Sequence, residues 1–170
     1  MLSSVYRPVQ SIPTEISGLT GPCGPASVWL VLTRYGIDAS PKEVIERCRY
    51  TDTIGCYAVC MAEALQHFGL KVRLLTDPDL SPAALEVRSY PSVDTCSALS
   101  SSRLLGLLDS SSSVIVSYLD RGEGHFSPLA GARANKLLLP YSPNGEMLKS
   151  EFDKRRRSAG ILRQAVIARP

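Results

Sequence analysis

Histidine is scarce in this 170-residue chain: His67 and His125 are the only two. Any imidazole chemistry has to use one of them. Aromatic residues make up only 6%, and the tyrosines do not interleave with basic residues, which argues against a stacking surface for nucleic acid. No apolar run reaches the length of a membrane span. The start Met1-Leu2-Ser3-Ser4-Val5-Tyr6-Arg7-Pro8 lacks the basic segment and apolar core of a secretory signal. The formal net charge is only +3, too small to argue for a polyanionic or membrane-surface partner. Repeats, low-complexity segments and a linker between domains are all missing. With 44% hydrophobic residues, the chain is long enough to build a proper core, and one domain over residues 1–170 is expected.

Five cysteines are present. An odd count without an export signal points to free thiols in a reducing, cytoplasmic compartment rather than to a disulfide framework. Cys23 is the one in a distinctive setting: Gly21-Pro22-Cys23-Gly24-Pro25-Ala26-Ser27, directly ahead of Val28-Trp29-Leu30-Val31-Leu32. The turn delivers a thiol to the first turn of a buried helix. Unpaired N–H groups and partial positive charge there favour a thiolate, so the placement predicts an activated nucleophile. Downstream, Gly124-His125-Phe126 sets a histidine at the start of a strand. A thiol and an imidazole need closeness in space, not in sequence, to act as nucleophile and base.

Pro25 and Gly36 punctuate a helix over Pro25–Tyr35. Ser40-Pro41-Lys42-Glu43 starts another, over Pro41–Cys48, with Ser40 as N-cap and Glu43 as its capping-box partner. A third helix spans Tyr57–Phe68, and Leu70–Leu75 alternates as a strand. Ser81–Leu85 opens a short helix, Ser89–Ser102 reads as loop, and Ser102–Asp109 as helix. Residues 1–20 read as an extended arm. Antiparallel strands are expected over Val114–Leu119, His125–Ala130 and Lys136–Leu139. Asn144-Gly145 then turns into Glu146–Leu148, and Gly160–Ala168 closes the sheet. The fold class is therefore α+β, with the helices packed on a C-terminal antiparallel sheet. Lys154-Arg155-Arg156-Arg157 reads as a solvated helix face or helix C-terminus, with an acidic partner as the alternative.

Cys-Gly-Pro-Ala-Ser followed by an apolar helix, then Gly-His-Phe-Ser-Pro-Leu-Ala-Gly, resembles the papain-like cysteine peptidase clan. Within it the chain is most similar to phytochelatin synthase-like proteins and bacterial double-glycine leader peptidases. The resemblance implies a papain-like fold with Cys23 as nucleophile, His125 as base, and the Cys23 backbone N–H as part of an oxyanion hole. It implies no cofactor and no metal. The substrate would be a peptide or acyl thioester, with a carrier or amine acceptor as a further partner.

Two positions depart from the family pattern. Ser17 stands six residues before the cysteine, where the family has an oxyanion-donating Gln; Gln10 could substitute if the arm folds back. Ser142 stands where an orienting Asp is expected, and Asn144 is the nearest amide. Cleavage of a peptide or isopeptide bond is the default reaction, with transpeptidation beside it. Alternatives are a biosynthetic acyltransferase acting on an activated acyl group, and a catalytically silent peptide-binding domain. His67, near a helix end, reads as a capping or surface residue. Cys56 and Cys60, spaced i, i+4, read as apolar packing on one helix face rather than as metal ligands.

Overall fold

A computed structural model describes Tyr6, residues 11–78 and residues 92–170. Its centre is a five-stranded mixed sheet in the order β2-β1-β8-β3-β4. The strands are β1 (Lys71–Thr76), β2 (Asp94–Ser97), β3 (Ser113–Asp120), β4 (Glu123–Pro128) and β8 (Ala165–Arg169). β1 and β2 run parallel, while β1–β8, β8–β3 and β3–β4 are antiparallel. The C-terminal strand does not close the sheet at an edge; it fills the middle. That position explains its composition. A strand covered on both faces reads as a continuous apolar run, as in Ala165-Val166-Ile167-Ala168 and Val114-Ile115-Val116.

The pleat divides those residues between two cores. Leu74, Ile115, Val166 and Ala168 join one cluster, with Val28, Leu32, Val59, Met61 and Leu65. Their neighbours Leu75, Val114, Val116, Tyr118, Ala165 and Ile167 join the other, with Leu104, Leu137 and Phe152. Period-two alternation thus feeds both faces from one strand.

The first cluster is built by α2 (Cys23–Arg34), α3 (Pro41–Arg47) and α4 (Ala58–His67). Ser40 caps α3 by accepting the Glu43 N–H at 3.1 Å, and the Glu43 carboxylate meets His67 Nε2, also at 3.1 Å. At its far end, α2 is tied down by Arg34, which donates to the carbonyls of Ser112 at 2.6 Å and Asp109 at 2.9 Å. The second cluster lies under α5 (Ser101–Gly106) and α6 (Lys149–Arg156), beside a three-stranded sheet of β5 (Gly131–Arg133), β6 (Lys136–Leu138) and β7 (Glu146–Leu148). Among the described residues, no helix is long and apolar enough to cross a membrane.

Several elements differ from the sequence reading. The arm contains a helical turn, α1 (Thr14–Ser17), because Ile16 supplies a fully buried anchor. Asp94–Ser97, read as loop, is a strand that among the described residues pairs only with β1; its short, polar sequence shows no apolar alternation. The Ser81–Leu85 helix lies outside the described residues. Asn144-Gly145 does precede the return strand, but within a longer loop, in which Gly145 N–H donates to Ser142 C=O and Leu139 N–H to Gly145 C=O. The basic run is not wholly solvated. Arg156 is buried over the Phe152 ring and donates to the Leu99 carbonyl at 3.1 Å. Burial pushes its guanidinium down to about 10. Arg155, one residue earlier, holds Asp120 and Glu151, each at 2.8 Å.

Candidate active site

Gly21 has φ +64°, a left-handed conformation that suits glycine. It turns the chain into Pro22, the residue that precedes α2. Cys23 is then the first residue of the helix and Pro25 the third, a position where proline's missing N–H leaves no helical bond unmade. Gly24 is required sterically. A Cβ there would stand 2.6 Å from Cys56 Cβ and 3.1 Å from Cys56 Sγ. This close approach seats the start of α2 against the segment 52–57. Cys56 lies ahead of α4 rather than on it, so it shares no helix face with the buried Cys60.

The opposite wall is β4. Ser117 N–H donates away from β4, to Gln164 C=O, while Leu129 N–H donates to Val114 C=O. With Tyr118 opposite His125 and Ser117 opposite Phe126, antiparallel alternation makes Tyr118–His125 a hydrogen-bonded pair. Gly124 and Phe126 therefore turn their backbone groups outward, to the edge that carries no further strand. The Phe126 N–H reaches the Cys23 thiol from that edge, and the Gly24 and Cys23 amides reach it from the helix start.

Cys23 and His125 line one cleft of about 580 Å³, together with Thr20, residues 52–58, Glu123–Phe126 and Gly160–Leu162. The three amides favour a thiolate, but burial outweighs them and holds the Cys23 thiol above its ordinary range. The activation expected from the helix start is thus reversed by desolvation in the free protein. Burial likewise pushes the His125 imidazole down, more than its hydrogen bond to Tyr141 pulls it up. Both shifts favour a neutral thiol beside a neutral imidazole.

The His125 ring is held on three sides. Nε2 donates to the Tyr141 carbonyl at 2.7 Å. Since a carbonyl can only accept, Nε2 carries the proton and Nδ1 is the basic nitrogen. The Tyr141 ring stacks parallel to the imidazole at 5.8 Å, and the Tyr118 ring leans on it at 5.2 Å. The Tyr118 hydroxyl is buried without a hydrogen-bond partner among the described residues, and burial raises its pKa.

The other sequence candidates fall elsewhere. The Ser142 hydroxyl is buried and makes no hydrogen bond, and its backbone N–H donates to Leu139 C=O. Asn144 lines a separate depression with Arg121, Glu151 and Lys154. The acceptor on His125 is thus a main-chain oxygen one residue before Ser142, a role that residue type does not reveal. Ser17 is exposed on α1 and absent from the cleft lining, whereas Thr20 belongs to it. Gln10 lies outside the described residues. Residue type alone does not mark Tyr118 as a neighbour of the His125 ring; its place across from His125 in the strand pair is the signal that does.

No protein-family model matches the chain, and no curated protein does. Solved structures match in fold. The peptidase domain of Streptococcus ComA, a bi-functional ABC transporter involved in a quorum-sensing pathway, superposes with a TM-score of 0.59 at 20% identity, covering 99% of each chain. A double glycine motif protease from an AMS/PCAT transporter, solved in complex with the leader peptide, gives 0.57 at 18% identity, over 87% of this chain and 84% of that one. The chain therefore has the fold of papain-like peptidase domains.

Proposed function

We propose that the protein is a thiol-dependent acyl-transfer enzyme that cleaves a peptide bond through a Cys23 thioester, with His125 as general base. The observation that carries this reading is the shared cleft, which brings the thiol at the start of α2 and an imidazole of fixed tautomer on β4 to one place. Two features support peptide as the substrate. The outward edge of β4 at Gly124 offers an extended chain a strand to pair with, and one structure of the same fold holds a leader peptide.

The chemistry runs from a neutral pair. As Sγ attacks the scissile carbonyl carbon, the thiol proton passes to His125. The Tyr141 carbonyl holds the ring while its charge develops. The carbonyl oxygen becomes an oxyanion, met by the Cys23 N–H at the helix start. On collapse, the C–N bond breaks, the amine leaves with the proton from His125, and a thioester remains. Water attacks that thioester, its proton again going to His125, and releases the acid and the thiol. An amine in place of water gives transpeptidation. The uncharged main-chain acceptor on His125 supports a second reading, an acyltransferase acting on an activated acyl group, because such a donor needs less stabilisation of an imidazolium than an amide does. None of the five cysteines forms a disulfide, which suits a reducing compartment.

Intact-mass trapping tests the reading. Wild-type protein incubated with peptide or thioester substrates should gain an acyl adduct that maps to Cys23. The adduct should vanish in Cys23→Ala, and its formation should slow by at least about 100-fold in His125→Ala. Equal adduct formation in the His125→Ala variant, or an adduct on another cysteine, would overturn the mechanism. Tight peptide binding with no adduct at any pH would instead identify a silent binding domain.

A further inference from the structure

The chain as a whole is cationic, at +3, but its cleft is not. Among the described residues, the ionisable groups that line it, beyond the thiols, Tyr57 and His125, are Asp52 and Glu123, and no described lysine or arginine joins them. His125 adds no compensating charge near neutral pH, since burial holds it in its neutral form. Two basic residues adjoin the lining segments in sequence, and the Arg121 charge is near enough to help lower the His125 imidazole. Arg163, next to the lining segment, grips Asp77 through Nε and Nη2 at 2.9 and 2.7 Å. Arg121, at the β3–β4 turn, faces the separate depression with Lys154 and Arg155.

The two carboxylates come from different segments and are placed by different means. The single proton of the Tyr50 hydroxyl is shared between the Asp52 carboxylate, at 2.9 Å, and the Thr20 carbonyl, which places the carboxylate at the rim on the Thr20 side. Glu123 sits on β4 two residues from His125 and therefore on the same face of the strand. Among the described residues, neither carboxylate has a cationic partner. Between them the lining is apolar or neutral: Ile54 is exposed, and Ile161 Cδ1 lies where it would be 3.6 Å from a Cβ added at Gly124.

We infer that this cleft selects a peptide carrying a lysine or arginine within two to four residues of the bond presented to Cys23. The inference rests on the reading of the cleft as a peptide-cleaving site. An extended chain advances about 3.3 Å per residue, and Glu123 lies three residues along β4 from Phe126, whose amide meets the thiol. That offset sets the two-to-four residue window. A basic side chain reaching Glu123 or Asp52 meets an unneutralised carboxylate, while its aliphatic stem lies along Ile54 or Ile161. An acidic side chain in the same place meets like charge. This arrangement discriminates by repulsion as well as attraction.

Charged thiol reagents test the field at Cys23 without knowledge of the substrate. Rates of Cys23 modification by cationic, anionic and neutral methanethiosulfonates of similar size are read by peptide mass mapping, so that Cys56 is scored separately. Because both carboxylates line the same cleft as the thiol, the cationic reagent should exceed the anionic one by about fivefold at 0.1 M salt, and the preference should collapse at 1 M. Asp52→Asn with Glu123→Gln should abolish it, and Glu123→Lys should reverse it. A randomised peptide library, with cut sites read by mass spectrometry, should then show lysine and arginine enriched in the stated window by about tenfold over aspartate and glutamate. Equal reagent rates, or a library without basic enrichment around the cut, overturns the inference while cleavage by Cys23 stands. Absence of any cleavage, with Cys23 inert to the neutral reagent, overturns the underlying enzyme reading and this inference with it.

Discussion

Gly24 is the position at which the backbone geometry of the cleft can be tested most directly. Replacing it with alanine introduces a Cβ 2.6 Å from Cys56 Cβ and 3.1 Å from Cys56 Sγ. The first of those atoms is fixed to the backbone and cannot rotate away, so the start of α2 or the segment 52–57 must move. Within a helix, glycine to alanine normally gains about 1 kcal/mol, whereas overpacking a tight interior costs about 1–3 kcal/mol. The expected balance is a loss of up to about 2 kcal/mol. With a urea m-value of about 2 kcal/mol/M, the midpoint then falls by as much as about 1 M. Cys23 and its oxyanion-facing amide would shift with the helix, so thiol labelling and any acyl transfer should fall further than stability does. Second-site variants identify the cause. Cys56→Ala keeps the offending Cβ and should rescue Gly24→Ala only in part, while Cys56→Gly removes it and should restore both midpoint and labelling. The coupling in that double-mutant cycle should be at least about 1 kcal/mol. A Gly24→Ala protein as stable as wild type, with unchanged Cys23 labelling, would refute the argument.

Three further expectations concern charge. Because burial lifts the Cys23 thiol and lowers the His125 imidazole, iodoacetamide labelling of Cys23 should keep rising beyond pH 9 and be at least about 100-fold slower at pH 6 than at pH 9; a labelling plateau below pH 7 would mean that the pair is ionised instead. In stability, the depressed His125 value leaves its contribution intact above about 6.5 and removes it as pH falls toward the folded value. The raised Cys23 value leaves its contribution intact below the ordinary thiol range and removes it as pH rises through the folded one. Urea midpoints should therefore peak between about pH 6.5 and 8.5, and Cys23→Ala should flatten the alkaline side alone. Asp77→Asn breaks the paired contacts to Arg163, including the Arg163 N–H at 3.0 Å. It should cost about 1–2 kcal/mol in chemical denaturation and loosen the adjacent Gly160–Leu162 wall, seen as faster amide exchange there; unchanged exchange would show that the wall is held by other contacts.

The parts of the fold written in local chemistry were legible. Ser40-Pro41 starts a helix because a hydroxyl acceptor and a fixed φ do that work within four residues. Val114–Leu119 announced itself by β-branched density, and Gly21-Pro22-Cys23-Gly24-Pro25 by turn and helix-start residues. What was hidden depends on contacts distant in sequence. β2 is polar and becomes a strand only because β1 presents a paired edge to it. Arg156 joins a basic run that reads as solvated, yet Phe152 beneath it and the Leu99 carbonyl draw it inside.

The site shows the same division at the scale of single atoms. The thiol and imidazole were legible because their chemistry belongs to side chains. The group that orients His125 was not, because it is the carbonyl of Tyr141, and every residue but its position would have served as well. Looking for a carboxylate or amide at Ser142 and Asn144 applied a side-chain criterion to a main-chain solution. The difference has an energetic consequence. A carboxylate at that place would stabilise an imidazolium in the resting enzyme and draw the proton off the thiol. A carbonyl dipole in a buried setting stabilises it far less, so desolvation prevails at both groups and favours the neutral thiol and the neutral imidazole. On the proposed mechanism, the helix-start amides of Cys23 and Gly24, which do not outweigh burial at the thiol, would act where new negative charge appears, on the attacked oxygen.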